Sequence, residues 1–186
     1  MKVINLHQEE EEIIRLAVEN NRHAQQRIYS KYASKMLSVC RQYIKDLHQA
    51  EDTMITGFMK VFANLGRFEH KGSFEGWVRR IMVNECISFL RAQKKISFLE
   101  DVYYKEDGFN NIESNFSVED IQSLIDGLPD GYRMIFNLYA IEGFKHKEIA
   151  EQLGINEGTS KSQYSHAKRM LQEQINKLKN YQNGTA

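Results

Sequence analysis

Proline occurs once in this sequence, at Pro129, beside eleven glycines, and so few turn-makers argue against a β-sandwich. Cysteine is nearly as scarce. Cys40 and Cys86 form no CxxC and no ligand-spaced cluster, and they read as reduced thiols of a cytoplasmic protein. No apolar run approaches the roughly 18–20 residues that cross a bilayer, and Met1-Lys2-Val3-Ile4 is no signal-peptide core, so membrane insertion is not expected. The six histidines (His7, His23, His48, His70, His146, His166) are scattered, with no HExxH and no carboxylate at ligand spacing. A Walker-type glycine loop and a Gly-x-Ser-x-Gly turn are missing as well. A hydrolase or metalloenzyme is left without support, and neither catalysis nor a cofactor or metal is expected. What is present, 41% hydrophobic and 27% charged residues over 186 positions, is the composition of a soluble, mostly helical, intracellular protein.

Net charge is also missing, with 25 Lys and Arg against 25 Asp and Glu, but the balance hides segregation. Residues 1–95 carry a net +5, residues 96–117 a net −4, residues 118–157 a net −5 and residues 158–186 a net +4. Charge blocks of this kind arise on solvated helix faces. They also arise on two polyanion-facing surfaces flanking an acidic middle that suppresses indiscriminate DNA binding. Motifs must decide between the two.

Apolar residues recur at helical spacing through the first half. Ile28, Tyr32, Met36 and Cys40 form one stripe between about residues 20 and 45. Ala50, Met54, Phe58, Val61, Phe62 and Leu65 form a second, ending near Gly66. A third runs from Ser73, a plausible N-cap, through Phe74, Trp77, Val78, Ile81 and Leu90 to Lys95. Residues 96–117 break the pattern with Asp107-Gly108 and Asn110-Asn111, turn formers in an acidic stretch that reads as a linker. Periodicity resumes at Val118 and pauses at Gly127-Leu128-Pro129. It continues from Tyr132 to Gly143, then around Lys147–Leu153 and from Glu157 to about Lys179. The expected architecture is all-α: two small helical domains, 1–95 and 118–186, joined by a flexible acidic tether over 96–117.

The run from His146 to Ser162 carries the requirements of a helix-turn-helix. Ala150 is small where two helices must approach, Gly154 permits a turn with positive φ, Ile155 plugs the core and Asn156 caps the second helix. The start of that helix is expected to expose Thr159, Ser160, Lys161, Ser162 and Gln163, followed by Ser165, His166, Lys168 and Arg169. Hydroxyls, an amide and cations are the groups that touch base edges and phosphates in a major groove. An αα-hairpin with a polar outer face would share the glycine turn, but it would not need the +4 charge to fall on the second helix.

In the first half, Phe68, Phe74 and Trp77 stand among Arg67, Lys71, Arg79, Arg80, Arg91, Lys94 and Lys95. Interleaved aromatics and cations suit unstacked single-stranded bases, each stacking contact contributing roughly 1–3 kcal/mol. Phe74 and Trp77, three apart and continuing to Ile81, fit a core stripe equally well. Asn84 could read the edge of a flipped base or be an ordinary exposed amide.

From about Ala17 to Ile175 the sequence resembles a bacterial RNA polymerase sigma factor of the extracytoplasmic-function type, in the sigma-70 family. Leu128-Pro129-Asp130-Gly131-Tyr132-Arg133, Glu142-Gly143-Phe144-Lys145-His146-Lys147-Glu148-Ile149-Ala150, Leu153-Gly154-Ile155 and Gly158-Thr159-Ser160-Lys161-Ser162-Gln163 resemble that family's reader of the promoter −35 element. Ala50-Glu51-Asp52 with Phe58 and Phe62 is similar to the helix that docks on the polymerase clamp. Phe74-Glu75-Gly76-Trp77-Val78-Arg79-Arg80-Ile81, Asn84 and Leu90-Arg91 look like the element that melts and reads the −10 region. The family often has Gln-Glu where Ile55 and Thr56 stand, an acid at Ser88 and an arginine at Val83.

The resemblance implies a promoter-specific initiation factor that is not an enzyme. Its implied partners are core RNA polymerase (clamp and flap), promoter DNA and an anti-sigma factor. It assigns polymerase binding to Asp52, Phe58 and Phe62, and −10 DNA to Phe68, His70, Lys71, Arg79, Arg80, Asn84, Ser88 and Arg91. It assigns −35 DNA to Lys147, Thr159, Ser160, Lys161, Ser162, Gln163, Ser165, His166, Lys168 and Arg169. A double-stranded DNA-binding regulator with a partner-sensing first domain would share these features, and a pure helical adaptor would not need the basic face from Thr159 to Arg169.

Overall fold

A computed structural model describes residues 5–93 and 117–182, and every regular element among them is helical. The acidic tether, apart from Ser117, and Lys94 and Lys95 lie outside the described residues. The chain divides into two compact units, Met1–Leu90 and Arg91–Ala186. No described helix is long and apolar enough to cross a membrane.

The first unit contains α1 (Asn5–Val18), α2 (Arg22–Tyr43), α3 (Leu47–Asn64), a 3₁₀ turn (Leu65–Arg67) and all but the last two residues of α4 (Phe74–Ala92). Local chemistry sets three of the helix starts. Asn21 accepts from the Ala24 N–H at 3.1 Å, Asp46 from the Gln49 N–H at 2.9 Å and Ser73 from the Gly76 N–H at 3.1 Å. Tyr32, Met36 and Cys40 of α2, Ala50, Met54, Phe58 and Val61 of α3, and Phe74, Val78, Met82 and Cys86 of α4 are buried. Gly57 lets α3 and α4 approach, since a Cβ there would lie 2.3 Å from Met82 Sδ. Both cysteines are free and fully buried, and Cys86 is pushed well above the usual thiol range, first by its hydrogen bond with Cys40 and then by burial.

Helix α1 is absent from the sequence reading, which begins near residue 20. Four consecutive glutamates, Glu9 to Glu12, obscure its apolar face, yet Ile14 and Ala17 are buried. The same glutamates fasten it to α2. Glu9 pairs with Arg27 at 2.8 Å and Glu10 with Lys31 at 2.6 Å, while the Tyr32 hydroxyl donates to Glu10. Burial, the Glu10 hydrogen bond and neighbouring negative charge together raise the Tyr32 phenol above its ordinary range. A raised folded-state value means that this stabilisation is complete below about pH 10 and disappears as pH rises beyond it. Alkaline titration followed at the tyrosinate absorbance should therefore show one phenol ionising only as the unit unfolds. Tyr32→Phe should remove that phase; an unaltered titration would refute the linkage.

The second unit contains α5 (Val118–Asp126), α6 (Asp130–Phe136), a π-helical turn (Asn137–Ile141), α7 (His146–Leu153) and α8 (Glu157–Gln182). A reciprocal capping box opens α5: the Asp120 N–H donates to Ser117 Oγ and the Ser117 N–H to Asp120 Oδ2, both at 3.1 Å. Arg133 is buried. It pairs with Asp130 at 2.9 Å and donates to the Asp126 carbonyl at 3.3 Å, at the C-terminus of α5. The helix expected over 132–143 is α6 followed by the wider π turn, which the Glu142 N–H closes on the Asn137 carbonyl at 2.9 Å. Ile125, Leu128, Ala167 and Leu171 form a core to which Leu124, Tyr132, Phe136 and Met170 add their partly buried faces.

Candidate nucleic-acid interface

The backbone of the expected helix-turn-helix is present between α7 and α8. The Lys145 N–H donates to the Glu148 carboxylate at 2.8 Å and opens α7. Gly154 ends it in the left-handed region (φ 68°, ψ 34°), and the Ile155 N–H returns to the Ala150 carbonyl at 3.1 Å. Asn156 then caps α8, accepting from the Thr159 N–H at 2.6 Å and from its hydroxyl at 3.0 Å.

Along α8 the side chains divide by helical phase. Lys161 and Arg169 are exposed, and Ser162, Ser165 and Lys168 are half-buried on the same outward side. Lys147, on α7, is exposed, while Thr159 is half-buried. Ser160, Gln163 and His166 are buried, at 0%, 1% and 7% exposure, which corrects the expectation that they face outward. Ser160, Gln163, Ala167 and Leu171 recur at the three- and four-residue spacing of an inward stripe, so their polar groups are used inside the fold. Ser160 Oγ lies 2.9 Å from His146 Nδ1. His166 stacks on Tyr132 with ring centroids 5.6 Å apart, and its Nδ1 lies 3.2 Å from an Arg169 nitrogen.

Two outward positions escaped the sequence reading. Gln172 continues the Lys161, Ser165, Lys168 row one turn further and is half-buried. Glu157 pairs with Lys161 at 2.7 Å. The Lys161 hydrogen bond, with the charges of Lys161, His146 and Lys147, holds its carboxyl below the usual carboxylate range. Both fall on the outward face once the phase of α8 is known, and neither stands out without that phase.

In the first unit, Arg80, Asn84 and Ser88 are exposed at one-turn intervals along α4, and Arg79 is half-buried beside them; Arg91, the first residue of the second unit, is exposed as well. Ser88 Oγ donates to the Asn84 carbonyl at 2.9 Å. The loop before α4 turns through His70 (φ 56°) and Gly72 (φ 103°), leaving His70 and Lys71 exposed. Half-buried Phe68 lies between His70, Phe74 and Trp77, with ring centroids at 4.7, 5.2 and 5.5 Å. Phe74 is core, and Trp77 keeps part of its ring at the surface.

On α3, Asp52 is exposed and Phe62 half-buried, but Phe58 is a core residue, packed on Tyr29 with centroids 4.8 Å apart. The expectation that Phe58 lies on a docking face is corrected, because the phase that buries Ala50, Met54 and Val61 takes Phe58 with them. The large apolar residues of α3 that do face outward are Leu47 at its start, 47% exposed, Ile55, 48% exposed, and Met59, 68% exposed.

Known proteins show the same order of parts. A family model for sigma-70 region 2 matches residues 28–96, and one for sigma-70 region 4 matches residues 118–171. RNA polymerase sigma factor SigZ of Bacillus subtilis is 29% identical over 155 residues, 82% of this chain and 83% of the relative. ECF RNA polymerase sigma factor SigW of the same organism is 27% identical over 164 residues, covering 79% of this chain and 86% of its own. A solved structure of the sigma factor RpoE with the anti-sigma factor NepR from Bartonella quintana is similar at 21% identity, over 81% of this chain and 96% of that one, with a TM-score of 0.49. Region 2 carries the cationic stripe of α4 and region 4 the helix-turn-helix: the chain belongs to the sigma-70 family, as a sigma factor of the extracytoplasmic-function type, a promoter-specific transcription initiation factor.

Proposed function

We propose that this factor joins core RNA polymerase through its first unit and reads two promoter elements with separate surfaces. The outward face of α3, with Asp52, Ile55, Met59 and the edge of Phe62, docks on the polymerase clamp, and the second unit meets the flap. Arg79, Arg80, Asn84, Ser88 and Arg91 of α4 hold the non-template strand of the melted −10 element. Phe68, His70 and Lys71 enclose a flipped base, whose unstacking costs a few kcal/mol and is offset by stacking and hydrogen bonds. Helix α8 enters the −35 major groove, with Lys161, Ser162, Ser165, Lys168 and Arg169 toward bases and phosphates, Lys147 and Thr159 beside them.

The observation that carries this reading is the outward row of α8, where hydroxyls and cations share one face of a capped second helix. Core polymerase supplied with this protein should initiate at a defined set of promoters, read by sequencing transcripts made in vitro. Transcripts from unrelated positions, or failure to associate with sigma-free polymerase, would overturn it. Asn84→Ala should impair open-complex formation more than closed-complex formation, and normal permanganate reactivity of the −10 thymines would remove Asn84 from this role. The acidic tether over 96–117 lies in the RNA path and resembles a transcript in charge. Neutralising Glu100, Asp101, Glu106 and Asp107 should change promoter escape, and unchanged escape would refute that part. An anti-sigma factor is the natural antagonist, covering the surfaces that polymerase uses.

A further inference from the structure

A cavity of about 590 Å³ opens between α1 and α2 of the first unit, within the range of small-molecule sites, roughly 300–1,000 Å³. Its apolar wall is Ile13 and Ile14 of α1, Ile28 of α2 and Phe74 at the start of α4. Arg27 and Lys31, one helical turn apart on α2, line it too, and their side chains are 60% and 56% exposed, which puts both cations at the mouth. Helix α2 carries five cations, Arg22, Arg27, Lys31, Lys35 and Arg41, and no acid. None of the lining residues is among those proposed to meet polymerase or promoter.

We propose that this cavity binds an anionic amphiphile, a medium-chain fatty carboxylate whose chain lies against the isoleucines and Phe74 while its head meets Arg27. The two acids at the mouth are held unequally. Glu10 takes two donors, Lys31 Nζ at 2.6 Å and the Tyr32 hydroxyl, and its side chain is only 22% exposed. Glu9 takes Arg27 at 2.8 Å, and both of those side chains are more than half exposed. An exposed pair of that kind contributes little, so an incoming carboxylate displaces Glu9 at small cost and takes the guanidinium fork in its place. The ligand adds what Glu9 does not, the burial of a hydrocarbon chain against apolar side chains. A cationic head would have to expel Arg27 from Glu9 and would then lie beside Lys31 on a helix without acids, so charge complementarity selects the anion.

The test is calorimetric titration of the full chain with dodecanoate, kept below the concentration at which it forms micelles. Saturable binding of one molecule per chain is expected, with dodecanol weaker and dodecyltrimethylammonium weaker still. Ile13→Trp, at a half-buried position of the wall, should fill the space and weaken dodecanoate by roughly tenfold or more, with helical content unchanged in circular dichroism. Arg27→Gln should weaken dodecanoate roughly tenfold and leave dodecanol as before. Glu9→Gln should tighten dodecanoate by roughly two- to fivefold, because the internal competitor is gone, and a merely structural defect would tighten nothing. If Ile13→Trp loses helix, the two mouth variants decide. Absence of saturable binding, preference for the ammonium head, or an affinity that Arg27→Gln and Glu9→Gln leave unaltered would each overturn the proposal.

Discussion

Lys161→Ala combined with Arg169→Ala should abolish most promoter-specific transcription while core polymerase binding persists. Each side chain is 54% exposed, and their partners Glu157 and Glu173 lie on the surface at 2.7 and 3.9 Å. Exposed pairs of this kind contribute about 0–1 kcal/mol, so folding should hardly change. Loss of two phosphate contacts is a far larger matter for DNA. It flattens the dependence of log K on log salt by about 1.8 and costs roughly 10- to 100-fold in duplex affinity at low salt. The measurement is a salt series of −35 duplex binding, with pull-down of core polymerase as the control. An unaltered salt slope would show that these cations do not meet phosphate, and loss of polymerase binding as well would indicate a folding defect.

Gly57→Val should destabilise the first unit by about 2 kcal/mol. Two effects compete. Replacing glycine in a helix interior gains up to ~1 kcal/mol in backbone entropy, less for a β-branched residue. Against this, the new Cβ falls 2.3 Å from Met82 Sδ and 3.0 Å from its Cε, and Met82 is fully buried. Overpacking of that kind costs roughly 1–3 kcal/mol, with the branched methyls adding to the clash, so sterics win. For a unit of this size the midpoint of thermal unfolding should fall by about 10 °C. Met82→Ala alone removes core volume at a cost of about 2–5 kcal/mol, but in the Gly57→Val background it should cost at least ~1 kcal/mol less. Strict additivity of the pair, or an unshifted midpoint for Gly57→Val, would show that α3 and α4 do not meet there.

Backbone features of the candidate site were the legible ones. Gly154, Asn156 and Ala150 each answer a steric or capping demand that few other residues meet, so their spacing identifies the turn before any packing is known. Side-chain direction was not legible in the same way. Ser160, Gln163 and His166 look like groove contacts by type, and the inward stripe they share with Ala167 and Leu171 has only two apolar members to mark it. A hydroxyl bound to His146 is satisfied as well inside as one bound to a base. Phe58 lies on the apolar stripe legible in the sequence, yet the resemblance gave it a docking role; the exposed neighbour, Met59, carries no signal of its own because both are large and apolar and one must face out. For α1, the run from Glu9 to Glu12 hid a helix whose acids find cations on α2.

The sheltered thiols of Cys40 and Cys86 make the native protein a convenient scaffold for spectroscopic rulers. Maleimide dyes and spin labels need a thiolate within reach, and neither buried sulfur offers one. A single cysteine placed at an exposed position outside the proposed contact surfaces, such as Ser34 or Asn176, would then take up label selectively without first stripping the wild-type pair. Fluorophores attached in this way to each unit would report how far apart the two units stand before and after polymerase captures them.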